Sequence, residues 1–128
     1  IKVLEDIGGD VIAFDSCDSN SEKIEKVEIR LHVERANAKK YININCSVMS
    51  PNDNRLGFIN DMIDEYEIDG VLEIILQACH TFSIESYNVK KTVLAKGIPY
   101  IKIETDYSKA DVGQINTRLE AFLETIAV

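Results

Sequence analysis

The chain has 128 residues, 45% of them hydrophobic, with 14 Lys and Arg against 22 Asp and Glu, for a net charge of −8. That length suits one domain around a single core, and the acidic balance argues against a nucleic-acid or anionic-membrane partner, which calls for clustered Lys and Arg. No apolar run approaches the roughly 20 residues that cross a bilayer, and the opening IKVLEDIGGD, with acids and no apolar stretch, does not read as a signal peptide.

Three cysteines, Cys17, Cys46 and Cys79, are an odd number, and none sits in a CxxC pair. A secreted disulfide framework usually has an even count, so a reducing, cytoplasmic setting is expected. There the cysteines are either small buried hydrophobes or metal ligands.

Residues 1–9 (IKVLEDIGG) read as the tail of a helix, closed by Gly8-Gly9, since glycine takes the left-handed conformation that ends helices. A helix open at residue 1 without a cap implies further sequence upstream. Residues 10–14 (DVIAF) are expected to form a short buried strand, and 15–20 a polar loop around Cys17. Ile24, Val27 and Leu31 recur at helical spacing and predict a helix over 21–40, with Val33 on the same face. Residues 41–48 (YININCSV) are expected to be an extended loop.

Ser50-Pro51-Asn52-Asp53 predicts a helix start, with Ser50 as cap and Pro51 first in the helix. That helix is expected to run to residue 68 and bury Leu56, Ile59, Ile63 and Tyr66. Residues 70–76 (GVLEIIL) predict a strand buried on both faces, as in parallel sheets, within which Glu73 needs a partner or an exposed edge. A helix over 83–96 ends at Gly97, residues 99–103 form the next strand, and Ser108 caps a last helix to residue 126. Gly113 in that helix costs about 1 kcal/mol relative to Ala. A close approach of another backbone would explain it.

Strands separated by helices imply parallel pairing through crossovers. The expected fold is α/β, a three-layer α/β/α sandwich with a small parallel sheet, flavodoxin- or Rossmann-like, over 1–128 as one domain. Ligands of such sheets bind beyond the carboxyl ends of the strands. There the sequence places Asp15-Ser16-Cys17, Gln77-Ala78-Cys79-His80-Thr81 and Glu104-Thr105-Asp106, while Cys46 precedes a helix N-terminus that can reach the same edge.

Helix N-termini favour anions and lower thiol pKa, which suits a thiolate-held iron–sulfur cluster. The cysteines are about 30 residues apart, matching no ferredoxin or zinc-finger pattern, so inert buried cysteines remain open on spacing alone. Glu104 and Asp106 are either an acid–base pair or, for Asp106 with Ser108, acceptors for the orphan amides of the last helix. Arg118 and Glu120 are read as structural ion-pair formers or as contacts to a further domain, and His32, amid charges, as solvated.

Longer strings carry a family resemblance: NCSVMSPNDNR, DGVLEIILQACHTFSIESYNVKK and GIPYIKIETDYSKADVGQINTRLEAFLE. They resemble the C-terminal domain of the 2-hydroxyacyl-CoA dehydratase family (2-hydroxyglutaryl-CoA dehydratase D-component-like), which includes benzoyl-CoA reductase subunits and double-cubane cluster proteins. NCSVMSPN followed by QACHT is closer in shape to the double-cubane branch.

The resemblance implies a cluster-binding C-terminal domain of a longer subunit, whose N-terminal part is absent and which is inactive by itself. The cofactor would be a 4Fe–4S cluster, or half of an 8Fe–9S double cubane. Cys79 falls on the family's cluster cysteine; in the dehydratases the other ligands lie upstream, whereas in the double-cubane branch Cys46 and Cys17 become further ligands, and His80 is a turn residue or a hydrogen-bond donor to a cluster sulfur. A dehydratase component of this kind, a lyase of anaerobic metabolism, receives one electron from an ATP-dependent iron–sulfur activator and forms a ketyl radical on an acyl-CoA thioester. Its partners are a second dehydratase-like subunit or a second copy, that activator and the acyl-CoA, with no nucleic acid and no membrane. The chain has no GxGxxG or phosphate-loop motif, in keeping with ATP handled by a partner. The other readings are a cluster-free flavodoxin-like interaction domain and, with less to support it, a flavin or nucleotide carrier.

Overall fold

A computed structural model describes residues 1–16, 32–42, 44–106, 108 and 110–127. In chain order the elements are α1 (Lys2–Asp6), α2 (Val33–Ile42), α3 (Asp53–Glu65), β1 (Val71–Leu76), α4 (His80–Ala95), β2 (Tyr100–Thr105) and α5 (Val112–Ile126). β1 and β2 pair in parallel, in register from Val71 opposite Tyr100 to Leu76 opposite Thr105. Parallel neighbours cannot be joined by a tight turn, and α4 makes the crossover between them.

The α/β class and the parallel pairing follow the sequence expectation. The sheet has two strands among the described residues, which falls short of the three-layer flavodoxin-like sandwich. Residues 10–14, expected to be a buried strand, carry no ladder, and Phe14 is 60% exposed. An apolar run alone does not make a strand, because its amides need a partner chain to pair with.

Side chains alternate across a strand, so Val71, Glu73 and Ile75 share a face with Tyr100, Lys102 and Glu104. α3 and α4 supply the core beside that face. Ile59, Ile63, Val89 and Val93 form a buried cluster, with Leu56, Ile68, Val71, Ile98 and Tyr100 packed against it. Each such side chain contributes about 1.5–3 kcal/mol when fully buried. On the opposite face Ile103 is buried, but Ile74 is 56% exposed and Leu76 is also exposed. β1 is therefore not buried on both faces, contrary to the reading of its continuous apolar run. A Cβ on Gly70 would run into Ile126 and come within 2.9 Å of Phe122, so the start of β1 lies directly against α5.

α3 and α4 run side by side in the same direction. Arg55 in the first turn of α3 stacks on Phe82 in the first turn of α4. At the other end Lys96, just after α4, contacts Asp64 and the Asn60 carbonyl on α3. Because α4 follows the carboxyl end of β1, both helix N-termini lie toward that end of the sheet.

Several boundaries differ from the sequence reading. α3 begins at Asp53 with Asn52 at the cap, leaving Ser50 and Pro51 outside the helix, and its C-cap Tyr66 is exposed rather than buried. α4 starts at His80, three residues earlier than predicted, and Gly97 with φ +76° follows it in the left-handed conformation. Asp111, not Ser108, holds the N-cap position of α5, without a side-chain cap hydrogen bond among the described residues. α2 takes in Tyr41 and Ile42, and its buried residue is Ala36 while Val33 is exposed; the earlier part of the helix predicted over 21–40 lies outside the described residues. A Cβ on Gly113 would meet nothing within 4 Å, so no close backbone among the described residues accounts for that glycine.

Candidate cysteine-bearing site

β1 passes into α4 through a tight turn that fixes Cys79. Gln77 N–H donates to the Thr105 carbonyl at 2.8 Å, tying the turn to β2, and Cys79 N–H donates to the Leu76 carbonyl at 2.9 Å. Ala78 between them has φ +66°, a left-handed conformation uncommon for a residue with a Cβ. Cys79 is the N-cap of α4, and its Sγ lies 3.7 Å from Thr81 Oγ1. His80 is the first helical residue and is exposed.

Cys46 is half-buried in the loop before α3. Its carbonyl accepts two hydrogen bonds, from Met49 N–H at 3.0 Å and from Asn52 Nδ2 at 2.8 Å. Asn52 thus uses its side chain to pin the cysteine loop to the start of α3, not to cap the helix amides. Cys46 and Cys79 are both free thiols. Cys17 lies outside the described residues. Among the described residues no three Cys, His, Asp or Glu side chains gather as a metal-binding group.

The residue that joins these segments is Arg55, which the sequence reading missed. It is 5% exposed. Its Nε donates to Asp15 Oδ2 at 2.9 Å, its Nη1 stands 3.7 Å from Glu85 Oε2, and its guanidinium carbon lies 4.9 Å from the centroid of the Phe82 ring. Asp15 and Glu85 are themselves largely enclosed. Arg55 Nη1 and Glu85 Oε2 are buried without a hydrogen bond among the described residues. The signal was available: Arg55, Ile59 and Ile63 follow one another at spacings of four, one stripe of a helix, and all three are buried.

The end of β2 does other work. Asp106 accepts the Ser108 N–H at 2.6 Å, and the hydrogen bonds from the Ser108 hydroxyl and amide hold its carboxyl below the usual carboxylate range. Ser108 Oγ in turn accepts the Ala110 N–H. These bonds build a turn ahead of α5 in place of the expected helix capping, and both Glu104 and Asp106 are exposed. Glu73 finds its partner in Tyr100, whose hydroxyl donates to Glu73 Oε2. Burial, then that hydrogen bond and the Glu73 charge, push the Tyr100 phenol well above its ordinary range. Arg118 donates to the Lys102 carbonyl at 2.7 Å, fastening α5 to β2 through the backbone in place of the expected ion pair. Among the described residues no helix is long and apolar enough to cross a membrane.

Comparison with known proteins agrees with the motif resemblance. The family model described as 2-hydroxyglutaryl-CoA dehydratase, D-component, matches residues 1–126. YjiM of Escherichia coli (strain K12), which carries the name of a dehydratase subunit, is 44% identical over 127 residues, covering 98% of this chain and 33% of that protein. The (R)-phenyllactyl-CoA dehydratase beta subunit of Clostridium sporogenes is 29% identical over 131 residues, covering 98% of this chain and 34% of its own length. The beta subunit of (R)-2-hydroxyglutaryl-CoA dehydratase from Acidaminococcus fermentans is 33% identical over 66 residues, covering 52% of this chain and 17% of its own length. The chain spans about a third of the first two relatives. With almost its whole length matched, this chain belongs to the 2-hydroxyglutaryl-CoA dehydratase D-component family.

Proposed function

We propose that this chain is the iron–sulfur-bearing portion of a 2-hydroxyacyl-CoA dehydratase-type subunit, in which Cys79, Cys46 and Cys17 hold a 4Fe–4S cluster. The observation that carries the reading is the parallel packing of α3 and α4, which sets the segments bearing Cys46 and Cys79 at one end of the helix pair, beside the carboxyl end of β1. Thiolates are the donors such clusters take, and positive helix ends favour both thiolate and anionic cluster. When bound, the cluster supplies a one-electron donor for the thioester carbonyl of an acyl-CoA.

The chain's own residues hold and orient. Two hydrogen bonds fix the Cys79 backbone, its own N–H to the Leu76 carbonyl at 2.9 Å and the Ser83 N–H to its carbonyl at 3.1 Å, and Gln77 ties the turn to β2. Asn52 and Met49 fix the Cys46 backbone. On this reading His80, exposed beside Cys79, would donate a hydrogen bond to a cluster sulfur and tune its potential. The working enzyme on this reading is cytoplasmic and pairs the subunit with a second dehydratase-like subunit or a second copy. An ATP-dependent iron–sulfur activator delivers the electron. Further strands from the larger subunit would complete the three-layer sheet.

The test is anaerobic expression of the longest natural polypeptide containing this chain, with iron and acid-labile sulfide measured per chain beside Cys79→Ser. About four irons, lost or reduced in the variant, support the dehydratase-type subunit. About eight irons move the reading to the double-cubane branch; loss of iron in Cys17→Ser and Cys46→Ser is expected on either count. No iron under strict anaerobiosis overturns it and leaves a cluster-free interaction domain.

A further inference from the structure

We infer that Arg55 is a positioning residue: it clamps the helix that carries the Cys46 loop to the helix that carries Cys79, and so sets the spacing of the two thiols. The inference deepens the cluster reading and rests on it for its purpose, but its geometry stands alone.

Each segment is reached from Arg55 through few links. Three residues before it, at the N-cap of α3, Asn52 donates to the Cys46 carbonyl at 2.8 Å. Its guanidinium lies over the ring of Phe82, three residues after Cys79, and against Glu85, one turn further along α4. Its Nε donates to Asp15, in the stretch that leads toward Cys17 in sequence. A planar guanidinium can stack on a ring and meet two carboxylates from different directions at once, and an ammonium cannot. Packing alone would not choose this residue. A buried charge is costly to enclose, and an apolar side chain at the same point of the Arg55–Ile59–Ile63 stripe would pack α3 on α4 without linking Asp15 or Glu85. What the guanidinium adds is a fixed relation among three separate segments.

The experiment uses phenylarsine oxide, which bridges two thiols only when they can meet on one arsenic, on the full chain with Cys17→Ser so that only Cys46 and Cys79 report. One arsenic per chain, with both thiols consumed, is expected when Arg55 is present. Arg55→Met leaves Asp15 and Glu85 unpaired and is at risk of unfolding. The companion variant Asp15→Asn/Arg55→Met/Glu85→Gln therefore removes all three charges together. In this folded, charge-free variant the bridging rate is expected to fall at least 10-fold, while the alkylation rate of each thiol by a monofunctional reagent stays within about 2-fold; Arg55→Lys should fall between, keeping charge without the fork.

A charge-free variant that folds and bridges at the native rate overturns the inference, as does native protein whose two thiols never bridge. Iron measurements separate the two claims. Native protein that binds no iron while its arsenic bridging depends on Arg55 sinks the cluster reading and supports the clamp. Native protein that binds iron and bridges independently of Arg55 does the reverse.

Discussion

The α3/α4 pair is cross-linked by charge at both ends, and the two ends are built differently. At the N-terminal end Arg55, Asp15 and Glu85 are enclosed, with an aromatic ring beneath the guanidinium. At the C-terminal end Lys96 meets Asp64 at the surface, where the Asp64 side chain is 70% exposed. Water and salt screen the second pair and leave it worth about 0–1 kcal/mol. The first is costly to form and still more costly to break, because losing one member strands a buried charge. Proteins stabilise helix pairs cheaply with apolar contacts. The enclosed ion cluster lies at the end that carries the cysteines, in keeping with the clamp inferred for Arg55, whereas the pair at the other end is solvated.

The largest effect is expected at Arg55. Arg55→Met is expected to destabilise the fold by about 3–5 kcal/mol, read as a lower denaturant midpoint, and neutralising Asp15 and Glu85 in the same chain should recover most of the loss. A loss under about 1 kcal/mol would put Arg55 in the same class as a surface pair. Asn52→Ala removes one of two hydrogen bonds to the Cys46 carbonyl and should cost about 1 kcal/mol; faster alkylation of Cys46 than of Cys79 in the variant would localise the effect.

Lys96→Met keeps the aliphatic stem and should change stability by less than about 1 kcal/mol, with the difference gone in 1 M salt. The smallest effect belongs to Asp106→Asn. The folded carboxyl titrates below its unfolded value, so its stabilisation is present above the unfolded pKa of about 4 and is lost as pH falls through the folded one. Stability curves of native and variant protein should therefore differ slightly at pH 7 and converge in acid. Curves that diverge in acid would reverse that sign.

The sequence carried the element types where periodicity was long. α3, β1, α4, β2 and α5 were all legible, as was the placing of Cys79 at a strand end. Boundaries were less so, because Ser50-Pro51-Asn52-Asp53 offers several polar residues able to start a helix, and what decided among them was Asn52 turning to the Cys46 carbonyl. The run DVIAF looked like a strand because apolar content is local, whereas a ladder is not. Arg55 shares the spacing of Ile59 and Ile63 but was passed over for a related reason. Charged residues in helices are usually solvated, and only the side chains brought in from residues 15, 82 and 85 explain why this one is enclosed.

β1 and β2 each have one neighbour among the described residues, and Ile74 and Leu76 lie open on one side of β1. A strand with an unladdered edge and exposed aliphatic side chains is a template for another strand. Held at high concentration by itself, this chain should self-associate through that edge, and the tendency should rise with protein concentration more than with salt. On the reading proposed above, in which the chain is part of a larger subunit, the same edge would be where the sheet continues, and a neighbouring strand there would cover what self-association covers in the isolated chain.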